Sequence, residues 1–406
     1  MLHKAFTDFR YLQNLNFNME EKNWFAALTN KRLNTVETLK EAGLNTFINH
    51  IIGTYHEPAH FIYELLQNAD DAKASKARLE LKKDGILFTH NGKINFTITN
   101  PEYEREQDAA PGHINAITAF SLSGKRDKPV SSIGKFGIGF KSIFQYTNTP
   151  HIYNPPYCFK IEQFIVPHEI KLQDGLLWDK ETTAFWLPFD KREKPLPQAY
   201  TEISARLKEI KNPLLFLKNL DTLDIINSII FTRFIKEIEE IEPIVPSPYI
   251  KISKVKLNND TIIKFSQKVK IIDQSAKTCF QSVNVGFVLN EAGHITADEE
   301  YKHYFKHAWC YLPTMHETRL NYILNAPFLL SPNRETIKES RTENKQLIAA
   351  LNQLASIAID CLDQLGYITE SINNTLPVLK NVTADFMPIA KTIITKIKAV
   401  KERQGM

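Results

Sequence analysis

A chain of 406 residues has room for two or three domains with separate cores, since one domain takes roughly 100 to 200 residues. Its 43% hydrophobic and 24% charged residues are ordinary globular usage, which argues against a disordered or fibrous chain. The net charge of +4 is mild and evenly spread, so it gives no clustered basic footprint and disfavours nucleic acid as a partner.

The predicted elements follow in chain order. Residues 1–10 are charged and aromatic rather than signal-like, and no stretch nears the roughly 20 apolar residues that span a bilayer, so a cytoplasmic protein without a membrane partner is expected. Apolar spacing predicts one helix over 35–53 and a second over 58–74. Short β-branched or alternating runs at 78–81, 86–89 and 94–99, separated by Asp84-Gly85 and Asn91-Gly92, predict strands. Residues 101–132 form a polar, Gly- and Pro-punctuated stretch that suggests a long segment over a site. Strand content returns at 158–166 and 182–189, and the proline-bearing 188–197 marks a domain boundary. Further strands are expected at 250–257, 261–272 and 283–289, before an apolar passage over 309–332. Leu347, Leu351, Leu354, Ala358 and Cys361 fall on one helical stripe, and 389–400 is a basic amphipathic helix. The basic run 391–403 within that region reads as a solvated helix face. Cys158, Cys279, Cys310 and Cys361 lack paired metal spacing and are expected to be free thiols.

Two elements carry chemistry. In ELLQNADDA (64–72), the i, i+4, i+7 spacing puts Glu64, Asn68 and Asp71 on one helix face while Leu65, Leu66, Ala69 and Ala72 pack the other. A carboxylate, an amide oxygen and a second carboxylate in line can polarise a water, ligate Mg²⁺ and bind a polar ring edge. In IGKFGIGFKS (133–142), Gly134, Gly137 and Gly139 let the main chain bring N–H groups around an anion, helped if a helix starts at Phe140. Phe140 separates Gly139 from Lys141-Ser142, so the run is not a P-loop, and it lacks the third glycine of the dinucleotide fingerprint.

In this order the two elements resemble the N-box and the second glycine box of the GHKL ATPases (gyrase, Hsp-type chaperone, histidine kinase, MutL), and their wording is similar to the sacsin-like branch. The resemblance continues in SLSGK (121–125), TTAFWLP (182–188), FLKNL (216–220), CYLPT (310–314) and NAPFLLSPNRETI (325–337). It implies a two-layer α/β (Bergerat) sandwich over 1–195, a second α/β, transducer-like domain over 196–345 and a helical tail over 346–406. It further implies ATP and Mg²⁺ as ligands, with Glu64 as general base, Asn68 as metal ligand and the main chain of Gly134, Lys135, Phe136, Gly137, Ile138, Gly139 and Phe140 around the phosphates. Ser123 and Lys125 would belong to a lid over 101–133, Thr183 would lie behind the adenine, and Arg334 would bring a cation to the γ-phosphate. Slow ATP hydrolysis would then drive a conformational switch acting on a protein partner or client, with room for a homodimer and, by family habit, for a place in bacterial defence.

One departure stands out. The first glycine box of that family begins with an Asp that accepts from the adenine amino group, whereas this chain has His90-Asn91-Gly92, with Asn91 offering a substitute carbonyl oxygen. A non-hydrolysing nucleotide scaffold or sensor is therefore the rival reading. A histidine-kinase-like phosphotransferase is disfavoured because no dimerisation helix with an acceptor histidine precedes the nucleotide motifs. His56-Glu57-Pro58-Ala59-His60 matches the zinc peptidase expression H-E-x-x-H, but Pro58 disfavours helix at Glu57 and breaks the geometry that two ligating histidines need.

Overall fold

The computed structural model describes residues 19–43, 59–104, 111–119, 139–173, 176, 182–228, 230–242, 250–274, 276–331, 336–338 and 340–405. They are a mixed α/β arrangement in two units, one within Met1–Arg126, Gly134–Ile210 and Lys218–Arg233, the other within Asp127–Ile133, Lys211–Leu217 and Phe234–Met406. No helix among the described residues is long and apolar enough to cross a membrane.

The strands of the first unit are β1 (Lys76–Lys82), β2 (Gly85–His90), β3 (His151–Asn154), β4 (Tyr157–Glu162), β5 (Val166–Glu169), β6 (Thr183–Pro188) and β7 (Thr222–Ile226). They lie in the order β7-β1-β2-β6-β3-β4-β5. β1 and β7 run parallel, and the other neighbours are antiparallel. β2 is buried at every position. Because successive side chains alternate, Leu87 and Thr89 share one face while Ile86, Phe88 and His90 share the other. On the first face Leu87, Tyr153 and Ala184 cluster with Ile170, Leu172 and Leu176. Over the second lies a helix, Phe61–Asp71, whose Phe61, Ile62, Leu65, Leu66 and Ala69 are almost completely buried.

The remaining helices of this unit are α1 (Met19–Glu41), α3 (His113–Ile117) and α4 (Leu196–Glu209), with Phe61–Asp71 as α2. α1 rests on β4 and β5: Phe25 meets Phe159 edge-on, the Thr29 hydroxyl donates to the Pro167 carbonyl at 2.9 Å, and the Tyr157 hydroxyl donates to Glu21. Its buried positions are Leu28, Arg32 and Val36, and Arg32 forks onto Glu104. Burial opposes charge on Glu104, but Arg32 and Lys31 hold its carboxyl below the ordinary range.

Several boundaries differ from the sequence expectation. The first helix starts well before residue 35, and the part of 35–53 from 44 onward lies outside the described residues. Residues 94–99 are not a strand, because side chains take their backbone groups. Asn154 accepts from Phe96 N, His113 from Thr97 N and Asn115 from Thr99 N, at 2.8, 3.2 and 2.9 Å. Of the prolines in 188–197, Pro188 ends β6, while Pro195 caps α4 and Pro197 lies in its first turn. Phe140–Gln145 is a 3₁₀ helix rather than an α-helix.

The second unit contains β8 (Phe231–Ile241) from Phe234 onward, β9 (Ile250–Leu257), β10 (Asp260–Ile272), β11 (Thr278–Leu289), β12 (His307–Cys310), β13 (Leu312–Glu317) and β14 (Ile323–Asn325). Their order is β13-β12-β14-β11-β10-β9-β8. Two long helices, α6 (Thr342–Gln364) and α7 (Met387–Gln404), follow a short α5 (Lys302–Phe305). Leu351, Leu354, Ala358 and Leu362 of α6 and Ile389, Ile393 and Ile397 of α7 share one core with Ile252, Phe265, Val285 and Phe287 of the sheet. On the polar side Lys396 pairs with Asp360 at 2.6 Å and Arg403 with Asp363 at 3.0 Å.

Candidate functional site

Helix α2 positions the site, and its C-terminal end is fastened by Asp70. Two carboxylates at a helix C-terminus oppose the helix dipole, so they need partners outside the helix. The fully buried Asp70 carboxylate accepts from the backbone N–H groups of Lys218, Asn219 and Leu220 at 3.1, 2.6 and 2.9 Å. The Asn219 amide returns a bond to the Asp70 carbonyl at 2.9 Å. This clamp fixes the axial position of the polar face that Glu64, Asn68 and Asp71 occupy.

Along that face Glu64 is buried, with one oxygen 3.7 Å from His60 Nε2. Its carboxylate meets the main chain of Gly139 so closely that a Cβ built on Gly139 would overlap it. Gly139 has an ordinary right-handed φ of −65°, so glycine is needed there for close approach, not for backbone freedom. The residues after it anchor the end of the glycine run. Phe140 packs on Phe185 of β6 with ring centroids 6.0 Å apart, and the Ser142 hydroxyl donates to the Gly139 carbonyl at 2.6 Å. Lys141 turns inward, donating to the Phe164 carbonyl at 2.8 Å, and burial holds its ammonium well below the ordinary lysine range.

One turn beyond Glu64, Asn68 and Asp71 are half-buried and form a cavity wall with Ala72, His90, Ile94, Phe96, His113, Ile117 and Phe185. The cavity encloses about 50 Å³ and opens to solvent. His90 lies 3% exposed and stacks on Phe185 at 6.1 Å. Its Nδ1 accepts from the backbone N–H of Gly92 at 3.0 Å. A Cβ on Gly92 would come within 2.8 Å of both Ala72 Cβ and His90 Nδ1, so this glycine too is set by close packing. Burial lowers the His90 pKa to about 4, which keeps the ring neutral at physiological pH. His113, also lowered by burial, stacks on Phe96 at 5.9 Å and accepts from Thr97 N through Nδ1.

Residues 41–182, which include this entire wall except Phe185, match the family model of the Sacsin domain. The segment is sacsin-like. Among curated proteins, the chain is 23% identical over 385 residues to Protein NO VEIN of Arabidopsis thaliana, covering 85% of this chain and 13% of that protein. It is 26% identical over 117 residues to Sacsin of Homo sapiens, covering 27% of this chain and 2% of that protein. The chain thus spans a small fraction of the length of these relatives.

Within and beside the sacsin-like segment the expected site residues separate into groups. Glu64 and Gly139 touch, and Asn68, Asp71 and His90 share the cavity wall. Gly92 and Phe140 support that wall from behind. Thr183 is buried opposite His90 in the β2–β6 ladder, and its hydroxyl accepts from the Asn154 amide at 2.6 Å. The Asn91 side chain is engaged in the turn at Ser75. Its Oδ1 accepts from Ser75 N and Lys76 N at 3.0 and 2.8 Å, and its Nδ2 donates to Ser75 Oγ. Ser123, Lys125, Gly134, Lys135, Phe136, Gly137, Ile138 and Arg334 lie outside the described residues, as do most of the expected lid, His56 and Glu57. In the second unit, Asn325 of the 325–337 motif accepts from Tyr311 N, while Asn344 of α6 bonds Leu329 and Lys338.

Asp70, Phe96 and His113 were absent from the sequence-based site. Adjacent carboxylates at the end of α2 were a readable signal for Asp70. Phe96 and His113 carry no motif and meet only because the segment after β2 folds back over the sheet face.

Proposed function

We propose that this protein binds ATP with Mg²⁺ in a GHKL-type (Bergerat) site of its first unit and hydrolyses it slowly as a conformational switch. The observation that carries this reading is the placement of three α2 side chains: Glu64 against Gly139 at the end of the glycine run, and Asn68 and Asp71 in the wall of a cavity with His90. The approach of the Glu64 carboxylate to Gly139 supports reading the two sequence motifs as parts of one site. The rings of Phe96 and Phe185 and the aliphatic side chains of Ile94 and Ile117 suit the faces of a nucleobase.

The residues also fit the metal chemistry. Among the described residues no three His, Cys, Asp or Glu side chains gather as a cation cage. Mg²⁺ commonly takes one or two protein oxygens and completes its shell with phosphates and water, a role suited to the Asn68 amide oxygen. When bound, the ion would neutralise phosphate charge. Glu64 takes the proton of the attacking water, and its burial beside Gly139 orients it and keeps bulk water away. Nucleotide state would then be passed to a protein partner or client, or to a second copy of the chain.

Calorimetric titration with ATP plus Mg²⁺, paired with phosphate release, tests the reading on wild type, Glu64→Gln and Asn68→Ala. Expected are binding and turnover in wild type, binding without turnover in Glu64→Gln, and loss of Mg²⁺-dependent binding in Asn68→Ala. Binding without turnover in wild type would support the scaffold or sensor instead. Absence of nucleotide binding would sink both.

A further inference from the structure

The cavity wall contains one imidazole whose tautomer is set by its surroundings. A backbone N–H can only donate, so the 3.0 Å bond from Gly92 N makes His90 Nδ1 an acceptor. Burial keeps the ring neutral, and a neutral imidazole with Nδ1 as acceptor carries its proton on Nε2. His90 Nε2 has no hydrogen-bond partner among the described residues, while the ring is fixed by stacking on Phe185. The other polar side chains of the wall are Asn68, Asp71 and His113, and the rest is apolar. Asp71 and His113 are the titratable groups that share the wall with His90. A carboxylate at this position would read a donor such as an exocyclic amino group; His90 presents the opposite polarity.

We propose that His90 reads the nucleobase through its Nε2–H, donating to an acceptor atom on the purine edge, either N1 of an adenine or O6 of a 6-oxopurine, and not to an amino group. This rests on the nucleotide reading of the same cavity. It makes His90 a specificity-determining residue and makes the exocyclic amino group dispensable. Deleting an acceptor that faces a buried donor leaves that donor unpaired, which costs about tenfold in affinity or more, whereas deleting a group that the donor does not touch costs little.

The test is titration of the full chain, with Mg²⁺, against ATP, ITP, purine riboside triphosphate (N1 kept, amino group removed) and 1-deaza-ATP (amino group kept, N1 removed). Expected on wild type is purine riboside triphosphate within about threefold of ATP. With N1 as the acceptor, 1-deaza-ATP binds about tenfold more weakly than ATP; with O6 as the acceptor, ITP is the tightest of the four. His90→Phe keeps a stacking ring without the donor and should level these differences. The inference is overturned if loss of the amino group weakens wild-type binding about tenfold while loss of N1 does not, or if His90→Phe keeps the wild-type order. The analogue series on wild type decides the matter even if the variant fails to fold. If none of the four binds, the nucleotide reading itself falls and takes this inference with it; binding in the wrong order overturns the inference alone.

Discussion

Acidification should loosen the β2–β6 ladder through His90. Its folded pKa of about 4 lies below the ordinary value of 6.5, so the folded state binds fewer protons than the unfolded state. The stability this represents is therefore complete above the unfolded pKa and is lost as pH falls from 6.5 towards 4. The shift corresponds to a limit of about 3.4 kcal/mol, of which about 2 kcal/mol is lost between roughly pH 7.5 and roughly pH 5. Hydrogen exchange at β2 and β6 amides, corrected for intrinsic rates, reads this loss within the first unit. His113 and His151 are also lowered by burial and act with the same sign, so the His90→Phe variant is the reference that isolates His90. The variant should show a pH dependence shallower by about 2 kcal/mol over that interval. A slope identical to wild type, or a His90 imidazole resonance titrating at its ordinary value, would refute the reasoning.

Three further outcomes follow from packing. Gly139→Ala should destabilise the first unit by about 1–3 kcal/mol through overlap with Glu64, and Glu64→Ala should relieve much of this in a double-mutant cycle by urea denaturation. Additive effects would mean the contact is not the cause. Asp70→Ala leaves three N–H groups, of which that of Leu220 is buried, without their acceptor and should cost about 1–3 kcal/mol, measured by thermal unfolding, with Asp70→Asn milder because one acceptor oxygen remains. Burial, with help from Glu169, pushes the Cys158 thiol up to about 12, so iodoacetamide at about pH 8 should leave it unmodified in the native protein, as peptide mapping would show.

How legible these features were depended on whether a side chain's partner was local. The polar face of α2 was visible because i, i+4, i+7 spacing is a property of one helix, and β1, β2 and β6 were visible through alternation and turn residues. α6 declared itself through the apolar stripe of Leu347, Leu351 and Leu354. α1 did not, because one of its inward positions is Arg32, which is buried only by virtue of Glu104 some 72 residues away. Ile94, Phe96 and Ile98 alternate like a strand, yet Asn154, His113 and Asn115 supply the backbone partners that a neighbouring strand would have given. In the site, the residue types at 64, 68, 71 and 139 were readable. The polarity that His90 presents was not, since it depends on where the Gly92 N–H points. The Asn91 oxygen that the sequence offers as an acceptor is taken by Ser75 N and Lys76 N.

The Asp70 clamp bears on where an autonomous piece of this chain can be cut. Its carboxylate is satisfied by Lys218, Asn219 and Leu220, and β1, which follows α2 directly, pairs in parallel with Thr222–Ile226. A fragment trimmed to the sacsin-like match at 41–182 would lack both, along with β6 and α4, leaving one edge of β1 bare and a buried carboxylate facing solvent. On the ribosome the same logic holds in time: α2 and β1 emerge early but cannot be locked in place until some 150 further residues have been made. The nascent segment would meanwhile carry an unpaired strand edge, the kind of surface that holdase chaperones shield.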